Sequence, residues 1–359
     1  APHGHGAVRG VEPERSRGDH IGARPRGRGR LSFVAASDQA FGIRSDRHCS
    51  VAMARIAVVA ALALSAYCAT AADPLVGPYA TERTTVDVPG LWLGEGTTDV
   101  YYATNSSVPQ RFVTFMHGAG GGLFIDPFVY HSLLNTLASW GFVIASPRVC
   151  MDGDCLEKYV EQAPIVIDWA TEQAADGHEI FSLADFSHGV GLTGHSMGGG
   201  ATLVGSEEEV ASAHGIAAAV MLHPYTANLH ADGPTLYEGP PAIPFLAFTG
   251  DTDTTADMSM VEAFYNASDA SLPRGIVEKS GKYATHQEPS DWHNWNEPYN
   301  PYMAQYVAGW FKLYLGTQED DSTVAGIPDW DSLLFGTGDD SLCGGGDGAM
   351  VWCATSRGQ

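Results

Sequence analysis

Residues 190–199 read VGLTGHSMGG, and this stretch decides the fold class. Val190–Thr193 is a strand-like apolar run, and residues 194–198 then match the pattern G-x-S-x-G, with a helix-like run of small residues behind it. Such a chain turns sharply from strand to helix and holds Ser196 in a strained conformation, since a side chain at either glycine would clash across the turn. The hydroxyl then stands at a helix N-terminus, where free N–H groups can bind developing negative charge. The pattern predicts that Ser196 is a nucleophile and that His195, at the x position before it, points away from the chemistry.

Strand-like and helix-like runs alternate on both sides of this motif, from about Thr84 to Leu315. The strand-like runs are Phe112–Met116, Phe142–Ala145, Val190–Thr193, Ala217–Leu222, Pro244–Thr249 and Gly275–Lys279. The helix-like runs are Tyr130–Trp140, Ala163–Ala175, Gly198–Glu209, Met258–Asn266 and Tyr302–Leu315. This alternation predicts the α/β class, with a mostly parallel central sheet covered by helices on both faces. Together with the motif, it predicts the α/β-hydrolase fold.

An acyl-transfer site also needs N–H donors for the oxyanion of the intermediate. The first expected donor is the backbone N–H of Met197, the residue after the nucleophile. The second should come from the glycine-rich loop HGAGGG at 117–122, where Ala119 is the candidate and Gly118 the alternative. A phosphate-binding loop would end in Lys-Ser/Thr, which this loop lacks. His117 is a candidate substrate contact, although a structural role is more typical of such a position.

The acid and the base should follow the nucleophile in the order Ser, Asp or Glu, then His. Asp253, in the G-x-x-D turn after Pro244–Thr249, is the candidate acid, and Asp251 and Asp257 are the alternatives. Two histidines follow it. His286 is the candidate base because its polar loop lies between the last strand and the last helix, whereas His293 lies in an aromatic-rich insertion.

These residues resemble two neighbouring groups of α/β-hydrolases, the chlorophyllases and the bacterial cutinase-like polyester hydrolases (the PETase-like group). The run HSLLNTLASWGFVIASP at 131–147 is more similar to a chlorophyllase, whereas GHSMGGG at 194–200 is more similar to the polyester hydrolases. The resemblance implies that Tyr225, in His-Pro-Tyr, lies where polyester hydrolases carry an aromatic substrate contact. A packed tyrosine is the equal alternative.

The sequence departs from both groups beside the predicted site. Ala119 stands where polyester hydrolases usually carry an aromatic residue, and Met197 stands where plant chlorophyllases carry an arginine. The chlorophyllase resemblance implies cleavage of the phytyl ester of chlorophyll without a metal. The polyester hydrolase resemblance implies acyl esters in an apolar pocket. The substrate is therefore not decided by the sequence: chlorophyll, acyl esters, polyesters and lipids are the alternatives.

The predicted activity is that of a carboxylic-ester hydrolase acting through an acyl-enzyme, with no cofactor and no metal. A peptidase or acyltransferase on the same scaffold is an alternative. A non-catalytic binding protein is another, but such proteins usually lose the Ser or the His.

Charge is distributed unevenly along this chain of net charge −23. Residues 1–52 hold nine Arg and five acidic residues, whereas residues 73–359 hold nine Lys or Arg and 37 Asp or Glu. A body this acidic repels phosphate backbones, which argues against nucleic acid as a partner. An ester substrate is the expected partner, and a monomer is expected.

Four segments are predicted along the chain. Residues 1–52 form a leader or extra upstream sequence, and Met53–Ala72 forms a secretory signal peptide whose apolar run is too short to span a membrane. We therefore expect secretion, or entry into the secretory pathway. Residues 73–316 form the catalytic domain, and the acidic, Gly- and Asp-rich extension at 317–359 is expected to pack loosely.

Four cysteines remain after the signal peptide and form two local pairs. An even count in a secreted chain favours disulfides, and three pairings are possible. We favour Cys150–Cys155 and Cys343–Cys353, because each pair is close in sequence. A metal site is the weaker alternative, since Cys150 and Cys155 have no histidine nearby.

Overall fold

The computed structural model describes residues 75–91, 96–119, 127–149, 159–227, 237, 239–292, 300–316, 327–344 and 350–358. The predicted leader, the predicted signal peptide, His293 and the Cys150–Cys155 pair lie outside the described residues.

One twisted sheet organises the described residues. Its strands are β1 (Thr81–Asp87), β2 (Thr97–Ala103), β3 (Gln110–Met116), β4 (Phe142–Pro147), β5 (Ala184–Asp185), β6 (Val190–His195), β7 (Ile216–Leu222), β8 (Phe245–Gly250), β9 (Arg274–Lys279) and β10 (Met350–Ser356). They are ordered β1-β2-β4-β3-β6-β7-β8-β9-β10, and the short β5 pairs with β3. The six central strands, in the spatial order β4-β3-β6-β7-β8-β9, are parallel to one another. At the two ends of the sheet the pairing is antiparallel, between β1 and β2, β2 and β4, and β9 and β10.

Helices cover both faces of this sheet. They are α1 (His131–Ser139), α2 (Gln162–Ala175), α3 (Met197–Gly205), α4 (Glu208–His214), α5 (Met258–Ala267), α6 (Pro301–Leu315) and α7 (Trp330–Phe335). Side chains alternate across each strand, so neighbouring residues of β3 enter different cores. Phe115 packs with α1 and α6 on one face, whereas Phe112 packs with α2 on the other. The predicted α/β architecture is confirmed.

The helix predicted over Gly198–Glu209 is wrong in one respect, because the structure divides it into α3 and α4. Helix α3 ends at Gly205, and the Ser206 hydroxyl donates to the carbonyl of Leu203 at 2.6 Å. A serine that satisfies a nearby carbonyl in this way competes with continued helix.

The expectation that 317–359 packs loosely is also wrong for its described part. Strand β10 pairs with β9, and Trp330 and Leu334 of α7 are buried in the core beside α6. A disulfide joins Cys343 to Cys353, as predicted. The acidic composition of this segment obscured a small apolar face, and burying that face outweighs the cost of ordering the chain. Among the described residues, no helix is both long and apolar enough to cross a membrane.

Candidate active site

Ser196 lies alone between the end of β6 and the start of α3, with φ 56° and ψ −120°. A non-glycine residue with positive φ is strained, and such strain persists only where the surroundings enforce it. Here the surroundings are two close backbone approaches. A Cβ at Gly198 would overlap the carbonyl oxygen of Met116, and one at Gly194 would overlap that of Gly198. The tight turn predicted from the sequence is therefore present, and it presents the Ser196 hydroxyl above the sheet.

Three side chains from separate loops form one hydrogen-bonded chain at the carboxyl end of the parallel strands. His286 Nε2 lies 2.9 Å from Ser196 Oγ, and His286 Nδ1 lies 2.8 Å from Asp253 Oδ2. A carboxylate can only accept, so Nδ1 carries the proton and Nε2 is left to accept from the hydroxyl. This arrangement can remove a proton from Ser196.

Asp253 uses all of its acceptor capacity. Its Oδ1 accepts from the backbone N–H groups of Thr255 and Ala256, each at 2.8 Å, and its Oδ2 faces two imidazoles. Burial would raise the pKa of this carboxyl, but the hydrogen bonds from His223 and His286 outweigh it and hold the pKa far below its usual range. Asp253 is therefore a buried, ionised carboxylate.

The two alternative acids lie elsewhere. Asp251 is exposed on the turn after β8, and Asp257 is exposed and caps α5 by accepting from the Ser259 N–H at 2.9 Å. Neither makes a described contact with His286.

His195 was expected to point away from the chemistry, and that expectation is wrong. Its ring lies against His286, with 4.8 Å between the centroids, and its Nε2 donates to the His286 carbonyl at 2.7 Å. Because Nε2 donates, Nδ1 accepts from the Tyr130 hydroxyl at 2.7 Å. Burial, followed by the nearby His286 and His223, holds the His195 pKa well below its usual value, so the ring is neutral.

His223 is the principal residue that the sequence reasoning missed. It is fully buried beside Asp253, with Nδ1 2.8 Å from Asp253 Oδ2 and Nε2 2.8 Å from Glu288 Oε2. Glu288 is also buried and accepts from Lys279 Nζ at 2.8 Å and from Asn300 Nδ2 at 2.6 Å. A histidine directly after a buried strand was the available signal, but local pattern does not say what such a side chain meets.

The structure distinguishes between the candidate N–H donors of the oxyanion hole. Met197 begins α3 beside the nucleophile, and Ala119 is exposed on the wall of the site cavity. Gly118 was the alternative donor, but its N–H donates to the Tyr130 hydroxyl at 3.0 Å. With that bond in place, the Gly118 N–H is committed within the protein, which leaves Met197 and Ala119 as the candidates.

His117 does not fit the predicted substrate contact. The side chain is buried, with Nδ1 2.7 Å from the Gly118 carbonyl and Nε2 accepting from the Val149 N–H at 3.3 Å. Burial lowers its pKa, so the ring is neutral, and both nitrogens are used internally. It is a structural residue of the loop.

A cavity of about 220 Å³ opens directly above Ser196. Its described lining combines apolar and aromatic side chains with a few polar groups: Gly118, Ala119, Val129, Tyr130, His195, Ser196, Thr255, His286, Gln287 and Trp292. Trp292, which sequence reasoning did not single out, is 51% exposed there. Tyr225 is half-buried and donates its backbone N–H to the Ser196 carbonyl at 2.8 Å, and its side-chain contact with substrate stays a prediction.

His223, Asp253 and His286 are also close enough together to be considered as metal ligands. Both imidazoles approach one carboxylate oxygen at 2.8 Å, which is the length of a hydrogen bond from a ring N–H to a carboxylate. The nitrogens that face Asp253 carry protons and have no lone pair to offer. The donor set therefore fits a hydrogen-bonded cluster and does not fit a metal centre.

Comparison with known proteins agrees with this arrangement. Residues 67–331 match the PETase family, which is described as PET hydrolase-like. The chain is also similar to a bis(hydroxyethyl) terephthalate hydrolase of Streptomyces coelicolor, with 29% identity over 258 residues that cover 70% of this chain and 71% of that protein. These matches confirm the resemblance to the polyester hydrolase group and the α/β-hydrolase fold. The chlorophyllase resemblance stays a prediction.

Proposed function

Because this chain belongs to the PET hydrolase-like family of ester hydrolases, we propose that it cleaves carboxylic esters through an acyl-enzyme formed on Ser196. In this proposal His286 is the general base and Asp253 orients it. The observation that carries the proposal is the continuous hydrogen-bonded chain from Ser196 Oγ through His286 to Asp253, with contacts of 2.9 and 2.8 Å.

The reaction begins when His286 Nε2 takes the Ser196 proton as Oγ attacks the ester carbonyl carbon. The carbonyl π electrons move to oxygen, and the N–H groups of Met197 and Ala119 receive that oxyanion. As the intermediate collapses, the ester C–O bond breaks and His286 passes its proton to the departing alcohol. The product of this half-reaction is an acyl-enzyme on Ser196.

Hydrolysis repeats these steps with water. His286 removes a proton from the water as its oxygen attacks the acyl carbon, and a second oxyanion forms. The bond to Ser196 then breaks, the carboxylic acid leaves, and the proton returns to Ser196 Oγ. Asp253 stays ionised throughout and stabilises the charged imidazole.

We propose small aromatic esters as the substrate class. The relative in Streptomyces coelicolor is named for an aromatic diester, which supports this choice. The exposed indole of Trp292 on the cavity wall offers a face for a ring. Ala119 lies on the same cavity wall, where polyester hydrolases usually carry an aromatic residue.

The proposal is tested by incubating wild type, Ser196→Ala and the control Ser212→Ala with bis(hydroxyethyl) terephthalate, p-nitrophenyl acetate and chlorophyll a. Ser212 is an exposed serine of α4 and does not belong to the described lining of the cavity above Ser196. We expect wild type and the control to release monoester at equal rates and Ser196→Ala to show only background. Equal activity of Ser196→Ala would refute the role of Ser196. Faster turnover of chlorophyll than of the aromatic diester would favour the chlorophyllase alternative.

A non-catalytic binding role is the competing function, and a covalent probe separates it from hydrolysis. A fluorophosphonate reacts with an activated serine, so intact mass spectrometry should find one added phosphonyl group on wild type and none on Ser196→Ala. Wild type that stays unlabelled and releases no product from any of the three esters would favour the binding role.

We further propose that the protein is exported, with Met53–Ala72 as its signal peptide. The arginine, the apolar run and the small residues of that segment support this proposal. N-terminal sequencing of protein from a secreting host should begin just after residue 71 or 72. A mature chain that starts well before Met53 would contradict it.

A further inference from the structure

His223 lies between two carboxylates, and each of them needs an N–H donor from its ring. Its Nδ1 faces Asp253 and its Nε2 faces Glu288, each at 2.8 Å, and all three side chains are buried. Carboxylates accept hydrogen bonds and cannot donate them while ionised. A neutral imidazole could satisfy one carboxylate but would turn a lone pair toward the other. The geometry therefore requires an imidazolium, with both nitrogens protonated.

The charges around His223 balance in that state. Asp253 and Glu288 are the anions, while His223 and Lys279 are the cations, and Lys279 lies 2.8 Å from Glu288. Burial opposes the charged ring, but its hydrogen bonds to the two carboxylates prevail and raise the pKa of His223. Burial opposes ionised Glu288 as well, and Lys279 and His223 nevertheless lower the pKa of its carboxyl. A neutral His223 would leave one uncompensated buried anion, which is costly.

The backbone of His223 is also held in an unusual conformation. Its φ is 46°, one of two positive values among the described non-glycine residues, and the other belongs to Ser196. The His223 N–H donates to the Phe248 carbonyl at 2.8 Å, which ties the end of β7 to β8. A strained residue persists where its surroundings hold it, and here they hold the ring against the Asp253 turn.

We propose that His223 is a positioning residue, a buried imidazolium that clamps Asp253 against the Glu288–Lys279 pair and so aims its carboxylate at His286. The inference rests on the proposed function, since it assigns His223 a role toward the proposed base. His223 makes no described side-chain contact with Ser196 and does not belong to the described lining of the cavity, so its positioning role is exerted through Asp253.

The imidazolium has a second, electrostatic effect on the base. The groups that face it are Asp253 and Glu288, followed by the rings of His195 and His286 at centroid distances of 6.4 and 6.1 Å. His195 is neutral, so the cation acts mainly on its two carboxylates and on His286. A positive charge there offsets part of the attraction between Asp253 and a protonated His286. Removing the cation strengthens that attraction, so the acidic limb of the activity profile should move to higher pH.

The first test reads the charge directly, without any activity measurement. A ¹⁵N spectrum of wild type labelled at histidine should show both His223 nitrogens protonated across about pH 5 to 8, with His223→Gln used to assign the signals. A His223 ring with one unprotonated nitrogen at neutral pH would overturn the proposal. This readout stands even if Ser196→Ala proves as active as wild type, a result that would overturn the proposed function alone.

The second test uses three variants on a p-nitrophenyl ester. His223→Gln should lower kcat roughly tenfold, change KM less than about twofold, and move the acidic limb to higher pH. Glu288→Gln preserves the shape but lets His223 become neutral, so the limb should move the same way with a smaller loss of kcat. His214→Gln is the matched control, because His214 also pairs with a carboxylate, Asp168 at 2.9 Å, away from the site. It should behave as wild type.

Two outcomes would overturn the assignment. A folded His223→Gln with unchanged kcat and an unchanged acidic limb shows that the clamp is dispensable. A loss of kcat with no movement of the limb in either His223→Gln or Glu288→Gln shows that the ring acts through packing alone. If His223→Gln fails to fold, the kinetics of Glu288→Gln and the ¹⁵N spectrum of wild type still test the proposal.

Discussion

His195, the residue directly before the nucleophile, donates its Nε2–H to the backbone carbonyl of His286 at 2.7 Å. The same ring accepts from Tyr130, whose hydroxyl in turn accepts from the Gly118 N–H at 3.0 Å. One directional set of hydrogen bonds therefore runs from the glycine-rich loop, under the nucleophile, to the loop that carries the base. It couples the two halves of the candidate site without using any catalytic atom.

This coupling predicts that His195→Phe lowers kcat by roughly tenfold while KM changes little, because the loop of His286 loses its tether and the base is misplaced. Tyr130→Phe should lower kcat less, since it keeps the aromatic ring at 130 and the hydrogen bond from His195 to His286. Steady-state kinetics on a p-nitrophenyl ester compares the two variants. Equal kcat for His195→Phe and wild type would show that the loop holds its position without this bond.

Gly198→Ala should disable the site through its backbone. The new Cβ would meet the carbonyl oxygen of Met116, so either the turn or β3 must shift and Ser196 moves with it. We expect a loss of activity of more than about a hundredfold and a lower melting temperature. Gly338→Ala is the control, because its Cβ would meet nothing within 4 Å. A fully active Gly198→Ala would contradict the geometry of the turn.

Asp253 makes stability depend on pH in a defined direction. Its folded-state pKa lies below that of the unfolded chain, which is about 3.9, so unfolding takes up a proton as the pH falls. The stabilisation is present above that value and is lost as pH falls toward the folded pKa. The advantage of wild type over Asp253→Asn in unfolding free energy should therefore shrink below about pH 4.

Denaturant titrations at several pH values measure this difference. Asp257→Asn serves as the control, because Asp257 is an exposed carboxylate nearby on the chain. An advantage over Asp253→Asn that stays constant down to acid pH would mean that Asp253 is not a stabilising anion.

Trp292→Ala should selectively weaken the binding of aromatic substrates. The Trp292 indole is exposed on the cavity wall. Its removal should raise KM for bis(hydroxyethyl) terephthalate about tenfold, equivalent to about 1.4 kcal/mol. The kcat for p-nitrophenyl acetate should stay nearly unchanged. Trp292→Phe keeps an aromatic face and should recover most of the affinity. Equal effects of Trp292→Ala on both esters would place the indole outside the substrate contacts.

Much of the fold could be predicted from the local pattern of apolar and polar residues. The runs that became β3, β4 and β6 to β9 are apolar and short, and they alternate with longer amphipathic runs, so their type is decided by neighbours in sequence. The edge strands β1, β2 and β10 were not predicted. Strand β1 alternates half-buried and exposed positions and carries little apolar signal, and its pairing with β2 supplies the order.

The sequence by itself determined the nucleophile turn and the chain order of Ser196, Asp253 and His286, because a tight glycine-flanked turn and a polar loop after a strand are local properties. Only the tertiary structure decided what surrounds them. His223 meets Asp253 and Glu288 across 30 and 65 residues of chain, and His195 meets the His286 carbonyl across 91. Parallel strands bring their carboxyl ends to one edge of the sheet, and such contacts leave no periodic trace in the sequence.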